Sequence, residues 1–330
     1  MVALEKEQEI LSRVKPACRR GENEDFFEWQ KRAKAQLSAL LGMDKLSPCE
    51  VCYTEIEREE TEDFSLIRFR FQSEENYFVP CYLLFPKGAT GKIPLVVCLQ
   101  GHGKGAHASL GRTKYEGEVI AGGDRDYALQ IVSHGMAALA IEQRNFGECG
   151  GTEKGPDCYI SAMTAIMLGR TTIGERAWDI SRALDVVLDR FGDRVDENKI
   201  ACMGNSGGGT ATLYAACLDE RIAAAMSSCA VSTYYESIAK VKHCACNFVP
   251  SIALNFDMGD LCGLVAPRPL VVVSGQQDLI FPIESAKECF ELAKDYYRAA
   301  GAPDSCAMVV GAEGHRFYAA DAWPEFLKRF

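Results

Sequence analysis

The sequence has 330 residues, of which 48% are hydrophobic and 25% are charged, so it is long and apolar enough for one large α/β domain. Its net charge of -10, without a basic stripe, argues against a nucleic-acid partner. No apolar run approaches the roughly 18 residues that a membrane span requires. The N-terminal stretch is charged and lacks a signal-peptide core, and the 15 cysteines are irregularly spaced. We therefore expect a cytoplasmic protein that does not associate with a membrane.

The first 50 residues predict a helical extension that precedes a larger domain at 51–330. Apolar side chains recur near helical spacing between positions 25 and 41, and Gly42 follows them as a stop signal. Packing against the larger domain is the favoured role of this extension. A contact between copies of the chain in a homo-oligomer is the alternative.

A change of period at 51–86 predicts an antiparallel hairpin. The segment 66–71 alternates apolar and polar residues, 77–86 is a second strand-like run, and the polar stretch 72–76 joins them. The acidic run 55–63, which precedes this hairpin, predicts a solvated edge or a turn.

From residue 93 onward, strands and helices alternate. The predicted strands are 93–99, 137–141, 199–203, 222–229, 270–273 and 306–310, and the predicted helices are 126–134, 174–191, 210–218 and 285–299. Near-continuous apolar strands that alternate with helices predict a mostly parallel sheet with helices on both faces. Residues 231–266 follow no regular pattern, and we expect this insertion to lie above the carboxyl ends of the strands, near an active site.

A serine stands in Gly204-Asn205-Ser206-Gly207-Gly208, between an apolar strand and a run of small helical residues. In that context a Gly-x-Ser-x-Gly turn presents the serine hydroxyl at the end of a sheet and at the positive end of a helix dipole. The plain alternative is a glycine-rich turn without chemistry, because the motif is common by chance.

A serine nucleophile needs a base, and the base needs a group that fixes its tautomer. Of the five histidines, His315 follows the last predicted strand, and Asp278 follows the strand before it. Ser206, Asp278 and His315 would therefore meet at the carboxyl edge of the sheet as a catalytic triad. Taken singly, Asp278 could equally be a helix cap and His315 an exposed loop residue. The competing acids are Asp257, Asp260 and Glu313.

Acyl transfer also needs donors for the oxyanion. We predict the backbone N–H of Gly207 as the first donor and that of His102, in the glycine-rich loop after strand 93–99, as the second. Gly103, Arg144 and Asn205 are candidate substrate contacts. For Arg144 a buried ion-pair anchor is the favoured role.

The segment His243-Cys244-Ala245-Cys246 invites comparison with a zinc site. Its ligand spacing is too tight for a usual structural site, and no second cluster in the sequence completes four ligands. We therefore predict no metal and no other cofactor, and we expect this segment to pack inside the insertion or to line the pocket.

These motifs resemble those of the α/β-hydrolase superfamily, and within it the acetyl-xylan-esterase and dienelactone-hydrolase-like carbohydrate esterases. The matching stretches are 99–103, 142–147, 204–208, 266–270, the Asp278 loop and Gly314-His315, which together span about residues 80–320. The sequence departs from two subfamily patterns: Ser206 stands where dienelactone hydrolases have a cysteine, and Gly207 stands where multi-substrate acetyl esterases have a glutamine.

The resemblance implies an α/β-hydrolase fold and a serine esterase that acts on a small-molecule ester. Short-chain esters such as acetylated sugars are the substrates that it favours. A peptidase similar to the prolyl-oligopeptidase group is one alternative, although the residues before the first core strand are too few for that group's propeller. A catalytically silent hydrolase fold used as a binding module is the other.

Overall fold

A computed structural model describes residues 2–120 and 122–330. In these residues nine strands form one sheet in the order β1-β2-β3-β5-β4-β6-β7-β8-β9. The strands are β1 (Thr54–Glu60), β2 (Phe64–Glu74), β3 (Tyr77–Pro86), β4 (Ile93–Leu99), β5 (Ala137–Ile141), β6 (Val195–Asn205), β7 (Ile222–Ser228), β8 (Leu270–Gly275) and β9 (Cys306–Gly311).

The sheet is antiparallel at one end and parallel over the rest. β1, β2 and β3 pair antiparallel, β3 pairs antiparallel with β5, and the strands from β5 through β4 to β9 are parallel. The predicted hairpin and the predicted parallel strands are therefore confirmed. The acidic run belongs mainly to β1, an exposed edge strand whose charges suit an unpaired sheet edge.

Helices cover both faces of the sheet. They are α1 (Ala3–Leu11), α2 (Phe26–Leu41), α3 (Tyr127–Ser133), α4 (Tyr159–Met167), α5 (Thr172–Phe191), α6 (Gly207–Leu218), α7 (Ile252–Asn255), α8 (Met258–Val265), α9 (Ile283–Ala299) and α10 (Ala319–Leu327). Because side chains alternate along a strand, β4 sends Val97 to the core beneath α2, α5, α6, α8 and α9, and Val96 to the core beneath α3 and α10.

The N-terminal extension packs into the larger core rather than standing apart. Trp29 of α2 is fully buried, its ring stacks on Tyr296 of α9 at 4.4 Å, and its Nε1 donates to the carbonyl of Cys18 at 2.7 Å. Asp25 caps the start of α2, and Gly42 ends it with a φ of 73°. Among the described residues no single helix is long and apolar enough to cross a bilayer; by length and composition alone, only a bent pair, 245–255 with 258–265, passes that test.

Replacing Trp29 with alanine tests this integration. We expect Trp29→Ala to lower the free energy of unfolding by about 3–5 kcal/mol, because it leaves a cavity against α9. The neighbouring Phe27 is 56% exposed, so Phe27→Ala should change stability by less than about 0.5 kcal/mol. Urea unfolding measures both. Equal, small effects would mean that the extension is not part of the cooperative core.

Candidate active site

Ser206 occupies a strained turn between β6 and α6. Its φ is 56° and its ψ is −123°, a conformation that residues other than glycine rarely adopt. The backbone is held there because the N–H of Ser206 donates to the carbonyl of Ser228 at 2.8 Å and its carbonyl accepts from Thr210 at 2.9 Å. A Cβ on Gly208 would lie 2.1 Å from the carbonyl oxygen of Leu99, so only glycine lets the start of α6 approach β4 this closely.

His315 and Asp278 form a hydrogen-bonded pair in the loops that follow β9 and β8. The Nδ1 of His315 lies 2.8 Å from Asp278 Oδ2. The second oxygen, Oδ1, accepts from the backbone N–H groups of Ile280 at 2.8 Å and Phe281 at 3.1 Å. Phe281 also stacks on the imidazole with the ring centres 6.0 Å apart. The Nε2 of His315 is therefore the nitrogen left for a substrate or a nucleophile.

The charge state of Asp278 suits this pairing. Burial alone would raise the pKa of its carboxyl, but the hydrogen bond and charge of His315 and the two backbone donors more than offset burial and lower that pKa. The carboxylate is thus ionised near neutral pH, where it can orient the imidazole and stabilise its protonated form.

A backbone contact joins the loops that carry Asp278 and His315. The N–H of Gln277 donates to the carbonyl of Glu313 at 2.8 Å. Cys229, just after β7, adds a second contact, because its Sγ donates to the carbonyl of Arg316 at 3.2 Å. Burial, followed by the Asp278 charge, raises the pKa of the Cys229 thiol to about 12, so it remains a protonated donor. In the sequence this cysteine is only the last residue of the predicted strand 222–229, and nothing in its local pattern shows this contact.

Two small cavities meet at Ser206, each of about 180 Å³. The first also contains His315 and a polar wall that sequence reasoning missed, formed by Gln100, Arg125 and Tyr127. The second is closed by the 231–266 insertion, whose contributing residues are Lys242, His243, Cys244 and Asn247. His102 lines both cavities. Four residues of the 231–266 segment therefore line a cavity beside Ser206.

The His102 loop, residues 100–105 after β4, presents a free backbone donor. The N–H of Gly103 donates to the carbonyl of Gly101 at 2.7 Å, which closes a tight turn centred on His102. The N–H of His102 has no hydrogen-bond partner among the described residues, and neither does that of Gly207 outside its own helix. In this loop the N–H of His102 is therefore available, whereas that of Gly103 is engaged.

The candidate substrate contacts differ in whether they line a cavity at Ser206. Asn205 lines the first cavity, and its Oδ1 accepts from the hydroxyl of Ser228 at 2.8 Å. Gly103 lines neither cavity, although a Cβ there would lie 3.8 Å from the Nη1 of Arg125. The sequence offers no periodic or motif signal for Arg125.

Arg144 is an ion-pair anchor and not a substrate contact. Its guanidinium bonds Asp179 at 2.7 and 2.9 Å, reaches Glu74 at 2.5 Å and lies over the ring of Tyr77 at 4.3 Å. Glu175 adds a further contact at 3.6 Å. These partners occupy the hydrogen-bond donors of the Arg144 side chain. The structure therefore corrects the prediction that Arg144 contacts the substrate and matches the favoured alternative, a buried ion-pair anchor.

The three competing acids bond groups other than His315. Asp257 caps α8 by accepting from the N–H of Met258 at 2.8 Å, and Asp260 pairs with Arg19 at 3.0 Å. Glu313 pairs with Arg316 on the surface. Of the acids that the sequence offered, only Asp278 bonds His315.

Glu142, at the end of β5, supports the His102 loop from behind. Its two carboxyl oxygens accept from the backbone N–H of Ala106 at 3.1 and 3.2 Å, and a Cβ on Gly147 would lie only 2.3 Å from one of them. Burial raises the pKa of Glu142 to about 7, and the hydrogen bond from Ala106 offsets this only in part.

A central sheet with this strand order, a strained serine elbow and a His-Asp pair on later loops define an α/β hydrolase. The sequence model of the Abhydrolase family matches residues 6–317, and the chain belongs to this family. YtaP of Bacillus subtilis (strain 168), a protein named as a hydrolase, is 27% identical over 290 residues, which cover 86% of this chain and 92% of YtaP.

Solved structures share the fold at low sequence identity. A Bacteroides fragilis NCTC 9343 protein described as an acetyl xylan esterase superposes with a TM-score of 0.80 at 18% identity, over 94% of this chain and 82% of its own. The glucuronoyl esterase from Solibacter usitatus superposes with a TM-score of 0.70 at 17% identity, over 96% and 98%. At these identities the likeness establishes the fold.

Replacing Asp278 with asparagine tests the pair. We expect Asp278→Asn to slow the labelling of Ser206 by a fluorophosphonate about 10⁴-fold, because an amide at this position favours the wrong imidazole tautomer. Glu313→Gln is the matched control, since Glu313 is close to His315 in the sequence but its carboxylate pairs with Arg316. Time-resolved mass spectrometry of the intact protein measures both rates. Equal rates in the two variants would remove Asp278 from the triad.

Glu142→Gln tests the buried carboxyl. Between the ordinary pKa of 4.5 and the folded value of about 7, only the unfolded chain gives up its proton, so wild-type stability falls as pH rises through this window. Compared with Glu142→Gln, the wild type should lose on the order of 3 kcal/mol of its free energy of unfolding across this window. Urea unfolding at pH 5 and pH 8 measures it, with the exposed Glu116→Gln as the control. A pH-independent difference would contradict the raised pKa.

Proposed function

We propose that this protein is a serine carboxylic-ester hydrolase that removes short acyl groups, acetyl above all, from small-molecule esters such as acetylated sugars. The observation that carries the proposal is that Ser206, in its strained elbow, lines one cavity with His315, whose Nδ1 bonds the buried Asp278. The cysteine-rich composition further favours a cytoplasmic site of action.

The reaction follows from this geometry. His315 Nε2 removes the proton of the Ser206 hydroxyl while Oγ bonds to the ester carbonyl carbon. The backbone N–H groups of Gly207 and His102 hold the oxyanion, and the carbon–oxygen bond to the alcohol breaks as His315 returns the proton to the leaving oxygen. Water, activated by the same imidazole, then releases the acid and restores the serine. Asp278 keeps Nδ1 protonated throughout.

The surroundings of Ser206 favour a small acyl group on a polar alcohol. Cavities of about 180 Å³ leave little room for a long acyl chain. Arg125 is exposed at the first cavity, and it has no ion-pair partner among the described residues. Asn205, whose side-chain amide carries a donor group, lines the same cavity beside the nucleophile. Both groups can donate hydrogen bonds to sugar hydroxyls.

Two structural relatives are described as sugar esterases, one for acetyl xylan and one for glucuronoyl esters. These descriptions support a carbohydrate ester as the substrate. In a glucuronoyl ester the sugar is the acyl group, whereas in an acetylated sugar it is the alcohol. The size of the cavities favours the second arrangement.

An ester panel with Ser206→Ala tests the proposal. We expect acetyl esters to be cleaved faster than butyryl and octanoyl esters, and acetylated xylosides faster than methyl glucuronate or a prolyl peptide amide. Ser206→Ala should lower kcat by about 10⁴–10⁶. Ser133→Ala, at the exposed end of α3, is the control. Full activity in Ser206→Ala would refute the nucleophile, and a folded wild type that neither turns over nor takes up a fluorophosphonate would favour the silent module.

A further inference from the structure

A cluster of three thiols and one imidazole lies beside the active site. His102, Cys158, Cys244 and Cys246 each place one donor atom so that all four lie within 4.8 Å of one another. The closest pair is His102 Nε2 and Cys246 Sγ at 3.2 Å. In a tetrahedral zinc site with bonds of about 2.0–2.3 Å the ligand atoms lie about 3.5–3.8 Å apart, so small side-chain adjustments suffice.

The four ligands come from three separate parts of the chain. His102 belongs to the loop after β4, Cys158 directly precedes α4, and Cys244 and Cys246 belong to the insertion. The local segment 243–246 alone holds too few ligands, which is why the sequence predicted no metal. His243 takes no part, because its Nε2 hydrogen-bonds the hydroxyl of Ser237 at 3.0 Å.

An independent observation indicates negative charge at this cluster. Arg176 of α5 is 1% exposed and forms no ion pair with a carboxylate in the described part of the chain. Its Nη1 lies 3.5 Å from Cys246 Sγ, and its Nη2 lies 3.8 Å from Cys158 Sγ. Its remaining partners are the carbonyl of Arg144 and the face of Phe146. An uncompensated buried cation costs several kcal/mol.

We propose that His102, Cys158, Cys244 and Cys246 bind one zinc ion. Three thiolates and a neutral imidazole around Zn²⁺ carry a net charge of −1, which compensates the Arg176 guanidinium. Soft thiolate ligands with an imidazole select zinc over magnesium or calcium. All four positions are filled by protein, as in a structural site, so the ion activates no water.

The ion also fixes the His102 loop. With Nε2 bound to zinc, the imidazole is locked between the metal and the start of α6, where a Cβ on Gly207 would lie 2.7 Å from Nδ1. His102 would then act through its side chain as a positioning residue for its own backbone N–H. This role, unlike the metal site itself, depends on the proposed esterase function.

Metal content tests the site without reference to activity. Purified without chelators, the wild type should contain about one zinc per chain, and cobalt exchange should give the visible spectrum of a tetrahedral thiolate site. Cys158→Ala and Cys246→Ala should lose the metal. Cys262→Ala, a fully buried cysteine outside the cluster, should keep it. Ser206→Ala should also keep it, so a failure of the esterase proposal leaves this result standing.

The wild-type measurements guard against variants that fail to fold. A metal-free wild type that takes up neither zinc nor cobalt would overturn the site, and so would a disulfide among the three cysteines in freshly reduced, metal-supplemented protein. For the positioning role, stripping zinc should lower kcat for an acetyl ester about 10²–10³-fold with little change in KM, and adding zinc should restore it. Zinc-bound protein whose kcat is unaffected by stripping would overturn that role alone.

Discussion

The active site depends on one close backbone contact between β4 and the start of α6. Gly208 lies so near the carbonyl of Leu99 that a Cβ would be 2.1 Å from the oxygen, and a Cβ on Gly101 would lie 2.9 Å from the carbonyl of Asn205. These contacts press the His102 loop against the serine elbow. The backbone N–H groups of His102 and Gly207, which come from distant parts of the chain, therefore lie on neighbouring segments beside Ser206.

Around this contact the protein uses buried charge in two different ways. Arg144 is compensated by carboxylates and ties α5 to β2 and to the end of β5. Arg176, one turn from Asp179 on the same helix, has thiols where Arg144 has carboxylates. Because burying a cation without an anion is costly, the difference between the two arginines identifies the Cys158–Cys246 region as the place where negative charge is expected.

Local patterns predicted most of the fold. Strand runs such as 93–99 and 137–141 have the bounds of β4 and β5, because a strand buried on both faces must be apolar throughout. The sequence also places Ser206, Asp278 and His315 after parallel strands, whose carboxyl ends lie at one edge of the sheet. Short helices such as α7 and α8 were not predicted, because the contacts that stabilise them come from elsewhere in the chain rather than from their own periodicity.

The site residues that the sequence did not predict come from distant parts of the chain. Only folding brings them together, so no local pattern shows them. Cys158 and Cys246 are 88 positions apart, yet they share a buried cluster with Phe146. Arg125 follows a glycine-rich stretch without pattern, and only the folded loop brings it to the cavity. Counting ligands within one segment therefore underestimates the number of ligands in a metal site. In the same way, the Gly-x-Ser-x-Gly motif identifies Ser206 but not the residues that line the cavity around it.

His102 is where these separate constraints meet. Its backbone N–H has no hydrogen-bond partner among the described residues, its ring packs on Phe146 at 4.9 Å, and its Nε2 faces Cys246 of the insertion. The insertion also forms the wall of the second cavity. A change in the insertion that moved Cys246 would therefore reach the backbone N–H of His102 through a single side chain, which couples the insertion to the group that we propose as an oxyanion donor.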